Sequence, residues 1–85
     1  MEVKKMSAKE MWFKIENITK YEETKDEVNI YYIFDEGKEP SISFLKHNKE
    51  IATNDIITLE ELQAINKQIE ELGWLGSDDN EKVNL

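Results

Sequence analysis

The feature that most constrains the fold of this chain is a helix near its C-terminal end with a start and a stop signal. Thr58, followed three residues later by Glu61, has the spacing of a capping box, in which the two side chains accept backbone amides of the first turn. Gly73 stands where a helix ends in the left-handed region. Apolar residues recur between these signals at three- and four-residue steps: Leu59, Leu62, Ile65, Ile69 and Leu72. The sequence therefore predicts a helix over residues 59–72 that covers a core with this stripe.

The middle of the chain has the alternation of an antiparallel hairpin. Residues 28–34 are rich in β-branched and aromatic side chains, and residues 41–46 form a second run of the same kind. The segment from Asp35 to Pro40 between them has the composition of a turn. Residues 47–49 predict another turn, and residues 50–53 a short edge strand.

Residues 8–21 fit two structures. As a helix, they carry a second capping box from Ser7 and Glu10. As a strand, they alternate around Phe13 and Ile15, with a bulge near Asn17. The β-branched and aromatic content favours the strand, and residues 22–27 then form the first turn of a meander.

These elements predict an α+β fold, in which a small antiparallel meander of three to four strands is covered on one face by one C-terminal helix. Residues 1–10 are then an N-terminal arm, residues 11–75 a single domain, and residues 76–85 a disordered acidic tail. The predicted core consists of Ile15, Ile30, Tyr32, Phe34, Ile42, Phe44, Leu62, Ile65, Ile69 and Leu72.

Acidic side chains dominate the predicted surface. The 85 residues include 19 acids and 11 basic residues, every one of them lysine, and the formal net charge is −8. Nucleic acids and anionic membranes are bound through cationic side chains, and guanine is read chiefly by arginine. The composition therefore disfavours direct binding of nucleic acid or of a membrane.

A helix in residues 8–21 would change the order of elements, but nucleic-acid binding would still be disfavoured. With a helix in residues 8–21, the order of elements would be that of double-stranded RNA-binding domains. The final helix of such a domain should be basic where it meets phosphates, whereas here it carries Glu60, Glu61, Glu70 and Glu71 against Lys67. The topology would fit that class of domain, but the charge does not.

No constellation of residues predicts catalysis. The chain has no cysteine, its single histidine, His47, falls in a predicted turn, and adjacent carboxylates on a helix do not face each other. We therefore expect neither an enzyme nor a cofactor or metal site. The chain also lacks an apolar run as long as a signal-peptide core or a membrane span, so we expect a cytoplasmic location.

Two functions fit these observations, beside the simpler possibility that the acids only keep a small domain soluble. The first is an acidic protein-binding module of the phage or mobile-element type, which inhibits a nucleic-acid-processing enzyme by presenting carboxylates to its basic groove. The second is an accessory interaction domain that associates through an exposed sheet face or Trp74. We expect a monomer or a weak homodimer, and the predicted partner-binding residues are Asp35, Glu36, Glu60, Glu61, Glu70, Glu71, Tyr31 and Trp74.

Overall fold

The computed structural model describes residues 6–54 and 56–74, and within them two helices pack on one face of a four-stranded sheet. Neighbouring strands are all antiparallel, in the spatial order in which they follow along the chain. The elements are α1 (Ala8–Phe13), β1 (Ile18–Glu23), β2 (Glu27–Tyr32), a 3₁₀ turn (Ile33–Asp35), β3 (Ile42–Leu45), β4 (Glu50–Thr53) and α2 (Leu59–Leu72). The predicted α+β meander with a C-terminal helix is confirmed, and so is its short fourth strand.

Parts of the predicted domain division lie outside the described residues. These are the disordered tail over residues 76–85 and the first five residues of the arm over 1–10. The end of the arm falls inside α1, which begins at Ala8. The division into arm, domain and tail therefore stays a prediction. No helix in the described residues has the length and apolar character that crossing a membrane requires.

Helix α2 has the bounds and caps that its sequence predicts. The Thr58 hydroxyl accepts the Glu61 amide at 3.1 Å, and a Glu61 carboxylate oxygen accepts the Thr58 amide at 2.8 Å. At the other end Gly73 has a φ of 76°. The Gly73 amide donates to the carbonyl of Glu70, and the Trp74 amide donates to that of Ile69. These two bonds form a Schellman motif, which satisfies carbonyls that the helix leaves open.

The face that α2 buries differs from the predicted apolar stripe. Leu62, expected in the core, is 45% exposed, and Ile69 and Leu72 are only partly buried. The helix is rotated because polar side chains on its inner face have partners in the core. The Gln68 carbonyl oxygen accepts the Trp12 indole N–H at 3.0 Å, and its amide group donates to the Tyr21 hydroxyl at 3.2 Å. The buried residues of α2 are Glu61, Ala64, Ile65 and Gln68.

Residues 8–21 form a helix and then the start of a strand, so the prediction of one strand is wrong for their first half. The second capping box is present, since the Ser7 hydroxyl accepts the Glu10 amide at 3.1 Å and a Glu10 oxygen accepts the Ser7 amide at 2.8 Å. The chain leaves α1 after Phe13, and Asn17 takes a φ of 76° before β1 begins. β1 then extends to Glu23, so the turn comprises residues 24–26 rather than 22–27.

The core lies between one face of the sheet and the two helices. Trp12 from α1 is fully buried, and its ring packs edge-on against Phe44 with centroids 6.1 Å apart. Phe34 was predicted to be buried, but it is 68% exposed because the strand alternation ends at Tyr32 and the 3₁₀ turn follows. The predicted core residues that are buried are Ile15, Ile30, Tyr32, Ile42, Phe44 and Ile65.

Candidate protein-binding cleft

One end of the sheet opens into a cleft of about 550 Å³. In a meander the connections alternate between the two ends of the sheet, and this is the end where β2 leads into β3 and where β4 ends. Its walls come from the connection between α1 and β1, the end of β2 with the 3₁₀ turn, the start of β3, and the end of β4 with the first turn of α2 and the residues before it. Four separate parts of the chain therefore shape one concave surface.

The charge in this cleft is of one sign. Four carboxylate side chains line it, and among the described residues no lysine, arginine or histidine does so. We call this surface the acidic cleft, defined by Glu16, Asp35, Glu60 and Glu61. Carboxylates grouped between low-dielectric walls concentrate a negative potential and raise the local concentration of cations.

Asp35 holds the turn that forms one wall. One of its oxygens accepts the Tyr32 amide at 2.8 Å, and both accept the Ser41 hydroxyl, at 2.8 and 3.1 Å. These bonds tie the end of β2 to the residue before β3. The half-buried Asp35 therefore fixes the wall and still contributes its charge to the cleft.

Glu61 is the most enclosed of the four acids, at 9% exposure. One of its oxygens accepts the Thr58 amide of the capping box, and the other accepts the hydroxyl of Tyr32. Burial raises the pKa of Tyr32 above its ordinary value, and the hydrogen bond and charge of Glu61 raise it further. The phenol therefore stays protonated and remains a donor, and this pair joins β2 to α2 in the wall of the cleft.

Glu16 and Glu60 are the acids of the cleft that remain open to a partner. Both side chains are exposed, and neither makes a hydrogen bond or ion pair to another described residue. Glu60 lies in the first turn of α2, where the positive end of the helix dipole favours a carboxylate. These two side chains are therefore suited to an electrostatic contact with a cation.

The cleft also has an apolar rim. Phe34 and Ile56 line it, at 68% and 86% exposure, and the Phe34 ring stacks on Tyr32 with centroids 5.1 Å apart. We call Phe34 and Ile56 the apolar rim.

Three of the predicted partner-binding residues line the cleft, namely Asp35, Glu60 and Glu61. Glu36 follows Asp35 at the exposed end of the 3₁₀ turn and lies 3.7 Å from the Lys38 amine. Glu70 pairs with Lys67 at 3.3 Å in the last turns of α2, outside the lining of the cleft.

Glu71 also lies outside the cleft, and its contact has a structural role. One of its oxygens accepts the Ala8 amide at 2.8 Å and so caps the first turn of α1. The two acidic pairs of α2 therefore do not form one surface, since the second pair lies at the end of the helix away from the cleft.

Tyr31 and Trp74 have contacts of their own rather than free aromatic surfaces. Tyr31 lies on the sheet face away from the core, where its hydroxyl donates to Glu22 at 3.3 Å and the Lys20 amine lies 5.0 Å from its ring centre. These neighbours leave it buried. Trp74 is partly buried against the core, 6.2 Å from the ring of Phe44.

Glu16 and the apolar rim were not among the predicted site residues. Glu16 joins the cleft because α1 ends at Phe13 and the chain reverses at Asn17, which only the helical alternative for residues 8–21 would have suggested. Phe34 was assigned to the core. Among the described residues, no group of three or more histidine or acidic side chains is arranged to hold a metal ion.

Comparison of the chain with protein-family models, with curated proteins and with solved structures finds no match. A function must therefore be inferred from the geometry and charge of the cleft.

Proposed function

We propose that this protein is a small acidic protein-binding module, and that its acidic cleft engages a basic surface of a partner protein. The observation that carries the proposal is the negative charge of the cleft, which is lined by four carboxylates and, among the residues that the structure describes, by no basic side chain. A basic partner would gain charge-assisted contacts with Glu16 and Glu60 without displacing an existing ion pair.

The partner class that fits best is a nucleic-acid-processing enzyme. A groove that binds phosphates is lined by cations, and such a groove is attracted to clustered carboxylates for the same electrostatic reason. The net charge of −8 disfavours direct binding of the nucleic acid itself. Occupation of the groove would then inhibit the enzyme by competition.

The alternative of association through the sheet face or Trp74 has less support. Tyr31, the aromatic residue of the outer sheet face, is covered by its neighbours, and Trp74 packs on Phe44. Both contacts favour a structural role for these aromatic residues.

The test compares two double variants that remove the same charge from opposite ends of the sheet. A partner is first captured from host lysate at low salt and purified, and its Kd for the wild-type protein is measured. We expect Glu16→Gln combined with Glu60→Gln to weaken binding about tenfold or more, or about 1.4 kcal/mol, and nucleic acid to compete with the wild-type protein.

The matched control is Asp26→Asn combined with Glu50→Gln, at the end of the sheet away from the cleft. Both control residues are exposed, and the change in net charge is the same. We expect this variant to bind within about twofold of the wild type, because exposed charges beyond a Debye length of roughly 8 Å are screened at physiological salt. Equal weakening by the two variants would show that only total charge matters, and the proposal would fail.

A further inference from the structure

We propose that the occupant of the acidic cleft is an extended segment of the partner that places one large apolar side chain between lysine or arginine residues. This inference rests on the proposed function and specifies the chemistry of the segment that the same site would take. It follows from the presence of carboxylates and exposed apolar side chains on one concave surface.

Two exposed apolar side chains lie in the lining of the cleft. Seven large apolar residues are exposed in the described part of the chain, and two of them form the apolar rim. Scattered exposed apolar residues need no explanation, whereas exposed apolar side chains that line a concave surface beside polar groups are typical of an interaction site. Phe34 and Ile56 lie in the lining of the cleft itself, so a partner that fills it removes apolar surface from water.

The charges select which apolar segment can enter. An apolar segment flanked by acids would bring like charges against Glu16 and Glu60, and one flanked by neutral residues would leave these carboxylates without a counter-charge. Lysine and arginine supply cations, and their aliphatic stems can cover neighbouring apolar surface while the charged ends stay in water. An arginine or lysine over the exposed face of Phe34 would add a cation–π contact.

The dimensions of the cleft suit a short segment that projects from the basic surface of the partner. Its volume of about 550 Å³ falls in the range of pockets that enclose a ligand of a few side chains, roughly 300–1,000 Å³. One apolar side chain near Phe34 and Ile56 would leave flanking residues within reach of the walls that carry Glu16 and Glu60.

The experiment uses synthetic peptides of equal length and equal positive charge with the full protein. One peptide has a central leucine between lysine and arginine residues, and the other has serine in its place. Calorimetric titration at low and at physiological salt gives a Kd for each. We expect the leucine peptide to bind at least about tenfold tighter, and to lose less affinity on addition of salt, because burial of apolar surface is not screened.

Variants of the cleft test whether the preference for the leucine peptide depends on Phe34, and whether the binding of both peptides depends on Glu16 and Glu60. Phe34→Ala should bring the leucine peptide to within about threefold of the serine peptide, while Phe13→Ala, at an exposed aromatic residue of α1, should keep the full preference. Glu16→Gln combined with Glu60→Gln should weaken both peptides, and the Asp26→Asn and Glu50→Gln control should weaken neither. Thermal unfolding verifies that each variant is folded.

The outcomes separate this inference from the proposed function. Equal affinity of the two peptides, with both weakened by loss of Glu16 and Glu60, would overturn the apolar anchor and leave the acidic cleft as a binding site for basic partners. An unchanged preference in Phe34→Ala would also overturn it. Binding of neither peptide would overturn it as well, and the Kd of the captured partner would then decide the proposed function by itself.

Discussion

The two ends of the sheet both carry carboxylates, but they differ in where the lysines fall. At the end formed by residues 24–26 and 46–49, Lys46 pairs with Glu23 at 3.0 Å and donates to the Thr24 carbonyl at 2.8 Å. At the other end, no basic side chain of residues 6–54 and 56–74 lines the acidic cleft. The difference shows that the placement of lysines, rather than the number of adjacent acids, creates a surface with an unbalanced charge.

The two pairs of adjacent acids in helix α2 also show that the number of acids does not determine the surface charge. In Glu60-Glu61 and in Glu70-Glu71, the first acid is exposed, while the second bonds to another element of the fold. Consecutive helix residues point in different directions, so two adjacent acids cannot act as one group. Whether a carboxylate is available to a partner therefore depends on the contacts of its own side chain and not on the presence of an acidic neighbour.

The largest effect on stability should come from the cleft end, at Glu61. We expect Glu61→Ala to lower the free energy of unfolding by about 2–4 kcal/mol, because it removes one of the two hydrogen bonds of the α2 capping box and leaves the buried Tyr32 hydroxyl without its acceptor. Urea unfolding followed by circular dichroism measures the loss. Glu60→Ala, at the adjacent exposed position, should stay within about 0.5 kcal/mol of the wild type. If Glu61→Ala and Glu60→Ala lost the same stability, the structural role that we assign to Glu61 would be contradicted.

The next largest effect on the free energy of unfolding should appear at alkaline pH. Burial and nearby carboxylates raise the pKa of Tyr32, and burial also raises the pKa of Tyr21 and of Tyr31. The unfolded chain releases these protons near pH 10, whereas the folded chain retains them. The stability that they contribute is therefore present below pH 10 and falls as the pH rises, by up to about 1.4 kcal/mol per pH unit for Tyr32.

Unfolding at a series of pH values between about 8 and 11 tests this expectation. Tyr32→Phe should give a shallower decline than the wild type, because one proton fewer separates the folded and unfolded states. Matching slopes for the two proteins would contradict the assignment of the raised pKa to Tyr32, whatever their absolute stabilities.

The smallest effect should be at the end of the sheet opposite the cleft. We expect Lys46→Ala to cost about 0.5–1 kcal/mol in the free energy of unfolding, since its ion pair with Glu23 is partly exposed. The loss should shrink in high salt. Lys25→Ala, at an exposed residue of the preceding turn, is the matched control and should have no measurable effect.

Local signals in the sequence predict the elements of this fold better than their orientation. The Thr58 capping box and Gly73 predict the bounds of α2, because caps depend on residues close in sequence. The rotation of α2 depends on Gln68 meeting Trp12 and Tyr21, which lie 47 or more positions away in the chain. No periodicity within the helix carries that information.

The candidate site could be predicted only in part for the same reason. Asp35, Glu60 and Glu61 were identified from their acidity, but the burial of Glu61 depends on its contact with Tyr32 from β2. The exposure of Phe34 depends on the chain leaving the strand at Ile33, where the alternation alone predicts that the strand continues.

The most direct test of the central claim is the ratio of the two Kd values for the captured partner, one for each double variant. If the cleft is the binding surface, Glu16→Gln with Glu60→Gln should bind about tenfold or more weakly than Asp26→Asn with Glu50→Gln, although their net charges are equal. A ratio near one would contradict the claim, and the acidity of the chain would then act only through its total charge.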